Sequence, residues 1–417
     1  MNVFWRKMAQ PRFRTGVFIA LLIIFAASVY QFNRMDEFSF NQQLGSGYER
    51  YEKARVVEIT KEQLEKDPNI EGLYRGTQQL KIKILSGEHK GEILPVTNYL
   101  STMFNVHAKV GTKLVVNIST ADASNFNVTV YNYYRAPYLY GMIAIFLAIL
   151  WAIGGNKGLK SAVALLFTFS SIVFLFLPML YRGYSPMLAA IIVVTTTIIA
   201  TLLLLDGWSS KSLSAIIGTM IGVILAGGVA TLAGHLLHIS GFNTNDSETL
   251  LIIADNTGMK VEGLLFAGVI IAALGAIMDL GISIASAVHE VYATNRELGP
   301  RALFLAGMNV GRDMMGTMAT TLILAFTGSS LMSLLVLYAY KVPYDQLVNM
   351  NLVTIEVLQG MTGSIGVILT APIVAFVSSR LMPYYDRMLA RKATSTVEIE
   401  KALPVTAVDS EKAAVSQ

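Results

Sequence analysis

The chain has 417 residues, of which 53% are hydrophobic and 14% charged, and its mean hydropathy is +0.53. A soluble fold covers itself with roughly a quarter charged residues, so much of this surface is read as facing lipid. A net charge of +4 gives no basic excess for nucleic acid, and the lack of cysteine removes disulfides, thiolate metal sites and cysteine nucleophiles.

The first apolar run, Thr15 to Tyr30, follows Arg6, Lys7, Arg12 and Arg14 and reads as an uncleaved signal-anchor, so residues 1–31 are expected to be a cytoplasmic N-terminus and its helix. Residues 32–135 are different, with mixed charge, turn dipeptides and alternating patterning. Five strands are predicted there, at 53–60, 78–85, 92–100, 112–119 and 127–134; Leu80, Ile82 and Ile84 alternate with Lys81 and Lys83 in the second. They suit a small antiparallel barrel of OB-like or SH3-like type. From Tyr138 onward seven apolar segments follow, at about 138–153, 161–180, 187–205, 213–238, 263–289, 313–340 and 351–379, within a transmembrane domain at 136–385. With the first run they predict an α-helical integral membrane protein of about eight transmembrane helices carrying a β-barrel after helix 1. Residues 386–417 lack apolar periodicity and read as a disordered cytoplasmic tail. Basic residues such as Lys157, Lys160, Lys211, Arg296, Arg301, Arg312 and Arg380 fall in the stretches that would be cytoplasmic, and only Arg182, Lys260 and Lys341 in short outer loops. Both termini are therefore expected inside and the barrel outside.

An ionisable group inside a span costs several kcal/mol unless paired, hydrated or neutral. In the sixth span, steps of three or four place Gly268, Ala272, Gly275, Asp279, Ser283, Ser286 and Glu290 on one stripe, with Leu264, Ile271, Leu274 and Ile282 expected to face lipid. The seventh repeats the arrangement with Asn309, Asp313, Gly316 and Thr320, flanked by Thr317 and Thr321. Arg312 is placed at its entrance, near the depth of Glu290, and an Arg312–Glu290 ion pair is expected. The eighth adds Glu356, Gln359, Gly363, Gly366 and Thr370, so three spans are expected to share a small, polar seam in which Gly363 and Gly366 leave space beside Asp279. That seam serves either as helix glue or as a hydrated path; three carboxylates at three depths favour the path. In the fifth span His235 and His238, with Asp246 and Glu248 beyond, are the residue set of a weak divalent metal site, or of an interface. No P-loop, zinc-protease or nucleophile-elbow pattern survives inspection, so neither enzyme activity nor a cofactor is expected.

The segments Gly275–Asp279 running to Ser286–Glu290, Asn309–Met318, and Leu369–Pro372 resemble those of the YibE/F family of bacterial multi-pass membrane proteins. The barrel after the first span is similar to the E-type member, which implies a shorter family partner lacking that domain. The aspartate helix followed by a helix with Asn, Arg and Thr is also similar, over a short stretch, to proton-coupled exporters of the RND type, although no porter domain is present and the arginine precedes the glycine-threonine turns. The expected function is a cell-membrane transporter or permease, proton- or ion-coupled through Asp279. The alternative is a non-transporting envelope assembly or signalling protein whose barrel binds a partner. Lipid, and either a paired family member or a second copy of the chain, are the expected partners.

Overall fold

The computed structural model describes residues 25–27, 29–34, 49–122, 125–243 and 247–402. The start of the first apolar run, Asp246 and the last part of the expected tail lie outside them. The chain divides into two units, Met35–Ile153 and a helical unit formed by Met1–Arg34 with Gly154–Gln417.

The first unit contains β1 (Glu49–Lys66), β2 (Tyr74–Ile84), β3 (Ile93–Leu100), β4 (Lys113–Asp122) and β5 (Asn125–Tyr133). All pairings are antiparallel in the order β3-β2-β1-β4-β5. β1 extends well beyond the expected strand because it serves two partners, β4 with its first half and β2 with its second, and irregularities at Val56/Glu58 and Ile59/Lys61 let it curl. The alternation of β2 is realised: Leu80, Ile82 and Ile84 are buried while Lys81 and Lys83 are exposed. They meet Ala54, Val56, Leu114 and Val116 in one apolar core. The sheet is a half-barrel rather than the closed barrel expected, since no ladder joins the edge strands β3 and β5. The 101–112 segment lies across it instead, tied by the buried Gln78. Its Nε2 donates to the Ala108 carbonyl (3.0 Å) and to Glu62 Oε2 (2.9 Å), and its Oε1 accepts from the Ala108 N–H (3.1 Å) and Asn98 Nδ2 (3.0 Å). Asn98 Nδ2 also donates to the Val106 carbonyl at 2.7 Å, so both buried amides are satisfied.

Helix α1 (Ala136–Tyr181) is interrupted at Gly155, whose φ of 54° and ψ of −135° are not helical, and contains a π turn at Ile172–Phe176. The expected spans 138–153 and 161–180 lie on either side of that glycine. Up to Ile153 the helix exposes Leu139, Ile143, Ile145, Phe146 and Ile149, an apolar surface suited to lipid.

In the helical unit follow α2 (Pro186–Asp206), α3 (Ser210–Leu236), the short α4 (Ser247–Thr257), α5 (Leu264–Thr294), α6 (Pro300–Ser329), α7 (Leu331–Ala339), α8 (Tyr344–Asn349) and α9 (Asn351–Ala402). Their ends follow local chemistry. Pro186 and Pro300 open helices where no N–H partner is needed, and Ser209 caps α3 by accepting from the Ser212 N–H at 3.0 Å. Helix α9 continues through residues 386–402, where the sequence suggests an unstructured tail. Among the described residues five helices are long and apolar enough to cross a membrane, or six when α6 and α7, bent by 59° at Ser330, count as one span. The expected count of about eight is not confirmed: the first run lies largely outside the described residues, and the expected spans 138–153 and 161–180 are two helical stretches meeting at the non-helical Gly155.

Glycine brings α3, α5, α6 and α9 together. A Cβ at Gly222 would strike Thr370 Oγ1, at Gly366 it would strike Ala226 Cβ, and at Gly281 it would strike Thr219 Cγ2. A Cβ at Gly218 would likewise lie 2.6 Å from Val374 Cγ2. Ile270, Ile277, Leu280, Ile284, Val367 and Val374 fill the rest of an apolar core. Among its buried hydroxyls, Thr219 donates to the Ala215 carbonyl (2.7 Å) and Thr370 to the Gly366 carbonyl (2.7 Å) within their own helices, Ser364 donates across to the Ala319 carbonyl of α6 (3.2 Å), and Thr197, Thr201 and Ser378 have no partner among the described residues.

Candidate functional site

The stripe on α5 exists, but it faces away from the bundle. Gly268, Ala272, Gly275, Asp279 and Glu290 are exposed and Ser283 and Ser286 half-buried, whereas Leu265, Val269, Ile270, Ala273, Ile277, Leu280, Ile284 and Val288 on the opposite side are buried. The expectation that Leu274 faces lipid is therefore wrong: it is buried, and Leu264, Ile271 and Ile282 are partly buried against the core. Dispersion and close approach favour turning the bulky branched side inward, where Gly227, Gly307, Gly311 and Gly366 receive it.

Helix α6 behaves the same way. Leu303, Gly307, Gly311, Ala319 and Leu322 are buried, and Asn309, Arg312, Asp313, Gly316, Thr317, Thr320 and Thr321 are exposed. Its glycines set the register against α5: a Cβ at Gly307 would lie 2.8 Å from Val288 Cγ2, and one at Gly311 would lie 3.2 Å from Ile284 Cδ1. The helices are antiparallel, and each turn forward on α6 matches a turn back on α5. The same register places Arg312 level with Ser283, Gly316 level with Asp279, and Thr317 and Thr320 level with Met278 and Gly275.

This corrects the expected place of Arg312. It stands twelve residues inside a helix that opens at Pro300, not at the entrance of a span opening at 313. It is one turn from the level of Asp279 and about two turns from that of Glu290. The expected Arg312–Glu290 ion pair is absent, and among the described residues no side-chain hydrogen bond or ion pair reaches Asp279, Arg312 or Asp313. The hydroxyls of Thr320 and Thr321 donate to the carbonyls of Gly316 and Thr317, both at 2.9 Å, which leaves their lone pairs toward the surface.

The α9 residues do not join this face. Gly363 packs beside Ala273 and Leu322 and Gly366 beside Ala226 and Ile277, so they are filled from within and open no space at Asp279. Glu356 is half-buried, with Oε2 enclosed and without a hydrogen-bond partner. The parallel register of α9 and α5 puts it level with Phe266, about 20 Å along α5 from Asp279. The three-helix seam is thus two separate features: a closed glycine-packed core, and a polar lane on the outer surface of α5 and α6.

His235 and His238 line a separate cavity of about 1000 Å³ at the end of α3, with Asp255, Lys260 and Glu262 also on its walls. His238 has a left-handed backbone, with φ of 52°. Among the described residues no three His, Asp or Glu side chains converge as a metal site, and Glu248 is exposed.

What the polar lane can do follows from its residue types. A carboxylate at mid-helix, a guanidinium one turn away, a second carboxylate beside it and a row of hydroxyls can hold water, bind a small ion or pass a proton along the helix surface. A description as a YibE/F-like protein matches residues 142–384, and one as a YibE/F family N-terminal domain matches residues 47–133. Neither a curated protein nor a solved structure matches the chain. The first match contains every residue of the lane and the second contains the whole curled sheet; the chain belongs to the YibE/F family of proteins, here membrane-embedded through its apolar helices.

Proposed function

We propose that the protein is a transporter or permease whose route runs along the outward lane of α5 and α6, with Asp279 as the group that couples movement to a proton or ion. The observation that carries this reading is the pairing of a sealed core with a polar perimeter. The interior of the bundle is filled by glycine contacts, while Asp279, Arg312 and Asp313 lie exposed along the outer face. Helix glue would engage such groups with neighbouring helices of the same chain, and among the described residues no side-chain hydrogen bond or ion pair joins them to one. In this reading both termini are cytoplasmic, the protein lies in the cell membrane, and the curled sheet is extracytoplasmic as a cap or docking module. The substrate class is a small ion or polar solute.

The sealed core also favours the second reading, a non-transporting assembly or signalling protein held by its spans. Reconstitution separates the two. Purified protein in liposomes with an internal pH-sensitive dye is expected to move protons when one member of an ion panel is supplied as a gradient, and Asp279→Asn to fall to the level of empty liposomes. A fully active Asn variant overturns the coupling role, and wild-type flux indistinguishable from empty liposomes across the panel favours the second reading.

A further inference from the structure

The lane cannot face hydrocarbon as it stands. An ionised side chain at the centre of a span costs about 2.5–3.5 kcal/mol on insertion scales and more on an isolated helix, and Asp279 and Arg312 are both uncovered by the described helices. The described residues of the chain's first helix do not cover them, since Phe25 stacks on Phe167 and Asn33 donates to the Phe174 carbonyl, both on α1. We propose that a second copy of this chain covers the lane, in a two-fold pair with α5 against α5 and with Asp279 of each copy opposite the partner's Arg312. The inference rests on the transport reading of the same face, to which it adds a closing wall.

Shape and charge both select this occupant. Gly268, Ala272 and Gly275 form a small-residue line on the outward side of α5, and a Cβ added at Gly268 or Gly275 meets nothing within 4 Å. These notches are empty in the single chain, unlike the core glycines, whose notches are filled. Small residues at that spacing let two parallel helices approach backbone to backbone. Two copies inserted in the same direction are related by an axis along the membrane normal, so each residue meets the partner at its own depth. One turn separates Arg312 from the level of Asp279, a rise of about 5.4 Å that an arginine side chain spans. The face carries both signs of charge, Arg312 against Asp279 and Asp313, so it is complementary to itself, whereas a lipid surface or an apolar helix would leave those charges unmatched.

The absence of native cysteine makes the test clean. In membranes of cells expressing Gly275→Cys, an oxidant is expected to give a disulfide-linked species at twice the chain mass of 45.4 kDa. Gly268→Cys, equally open, is the second variant if the first is poorly made. Ile224→Cys is the control: it is an exposed apolar position on α3, at nearly the depth of Gly275 by the contacts of Gly227 with Ile270 and Gly281 with Thr219, and it should stay monomeric. Charge reversal at Arg312→Asp is expected to lower the cross-linked yield, and the added Asp279→Arg to restore it. Purely monomeric cysteine variants, a cross-link only to some other membrane protein, or equal cross-linking of Ile224→Cys overturns the proposal. Its failure is distinct from failure of the transport reading. A monomer in which Asp279→Asn still abolishes flux loses the pair alone, and a cross-linked dimer in which Asp279→Asn is fully active loses the coupling alone.

Discussion

Asp279 lies midway along the 31 residues of α5, and its effect depends on which side of the helix it occupies. Because it is exposed, replacing it by the nearly isosteric Asn removes a charge without opening a cavity, so Asp279→Asn is expected to express and unfold like the wild type while losing coupled flux. The glycines behave oppositely according to what surrounds them. At Gly222 any side chain collides with Thr370, so Gly222→Val is expected to cost about 1–3 kcal/mol by overpacking. At Gly228, one turn and a half further on, an added Cβ meets nothing, and Gly228→Ala is expected to be neutral or to gain up to about 1 kcal/mol from helix propensity. Thermal unfolding in detergent separates the two; equal shifts would contradict the packing described. The sequence identified Asp279 and its stripe correctly as one helical face. It could not say which way that face points, because in a bilayer either an apolar or a polar face can lie inside, and hydropathy alone does not choose.

At the scale of elements, the curled sheet was the most legible part, since its five strands each bury one face and the turn residues sit at Gly87, Gly91 and Gly111 with positive φ. The fragment from Gly47 to Arg135 is expected to fold alone with a β-type far-UV spectrum, and random coil would contradict this. Within it, Gln78→Ala strands the Ala108 N–H and carbonyl and removes one of the two bonds of Asn98 Nδ2, and should lower the fragment's unfolding free energy by about 2–4 kcal/mol, read from urea denaturation. Asp67 gives the sheet an acid dependence. The Asn69 backbone N–H, with Arg75 at 2.8 Å and the Ile70 N–H, holds its carboxyl below the usual value of 3.8. The unfolded chain therefore takes up the proton first, and the stabilisation is complete above that value and lost as pH falls through the lower folded-state pKa. Asp67→Asn should flatten the fragment's stability against pH in that acid range, and an unchanged profile would contradict the assignment. Helix α6 was less legible. Its charges at 312 and 313 interrupt the apolar run, which hid the start signal of Gly299 followed by Pro300.

For the whole molecule, the distribution of basic residues predicts both termini inside and the sheet outside. A membrane-impermeant thiol reagent applied to intact cells should label Ser119→Cys and leave Ser395→Cys unlabelled; the opposite pattern reverses the topology. Membrane character was legible from composition, because a long chain with few charges has no other solvent to meet. The exact number of crossings was not legible, since a bend of 59° at Ser330 divides one apolar stretch into two helices. The separation of a sealed core from a polar perimeter was hidden for a related reason: glycine, alanine and threonine serve close packing and water contact equally well. The most direct measurement of the central claim is therefore water at the lane. A charged thiol reagent on membranes carrying Thr317→Cys or Thr320→Cys, on α6 beside the α5 line, should modify both quickly, and Ile224→Cys, on the lipid-facing side of α3, hardly at all. Lane cysteines as unreactive as Ile224→Cys would mean that α5 and α6 present a dry surface, and the perimeter route would be wrong.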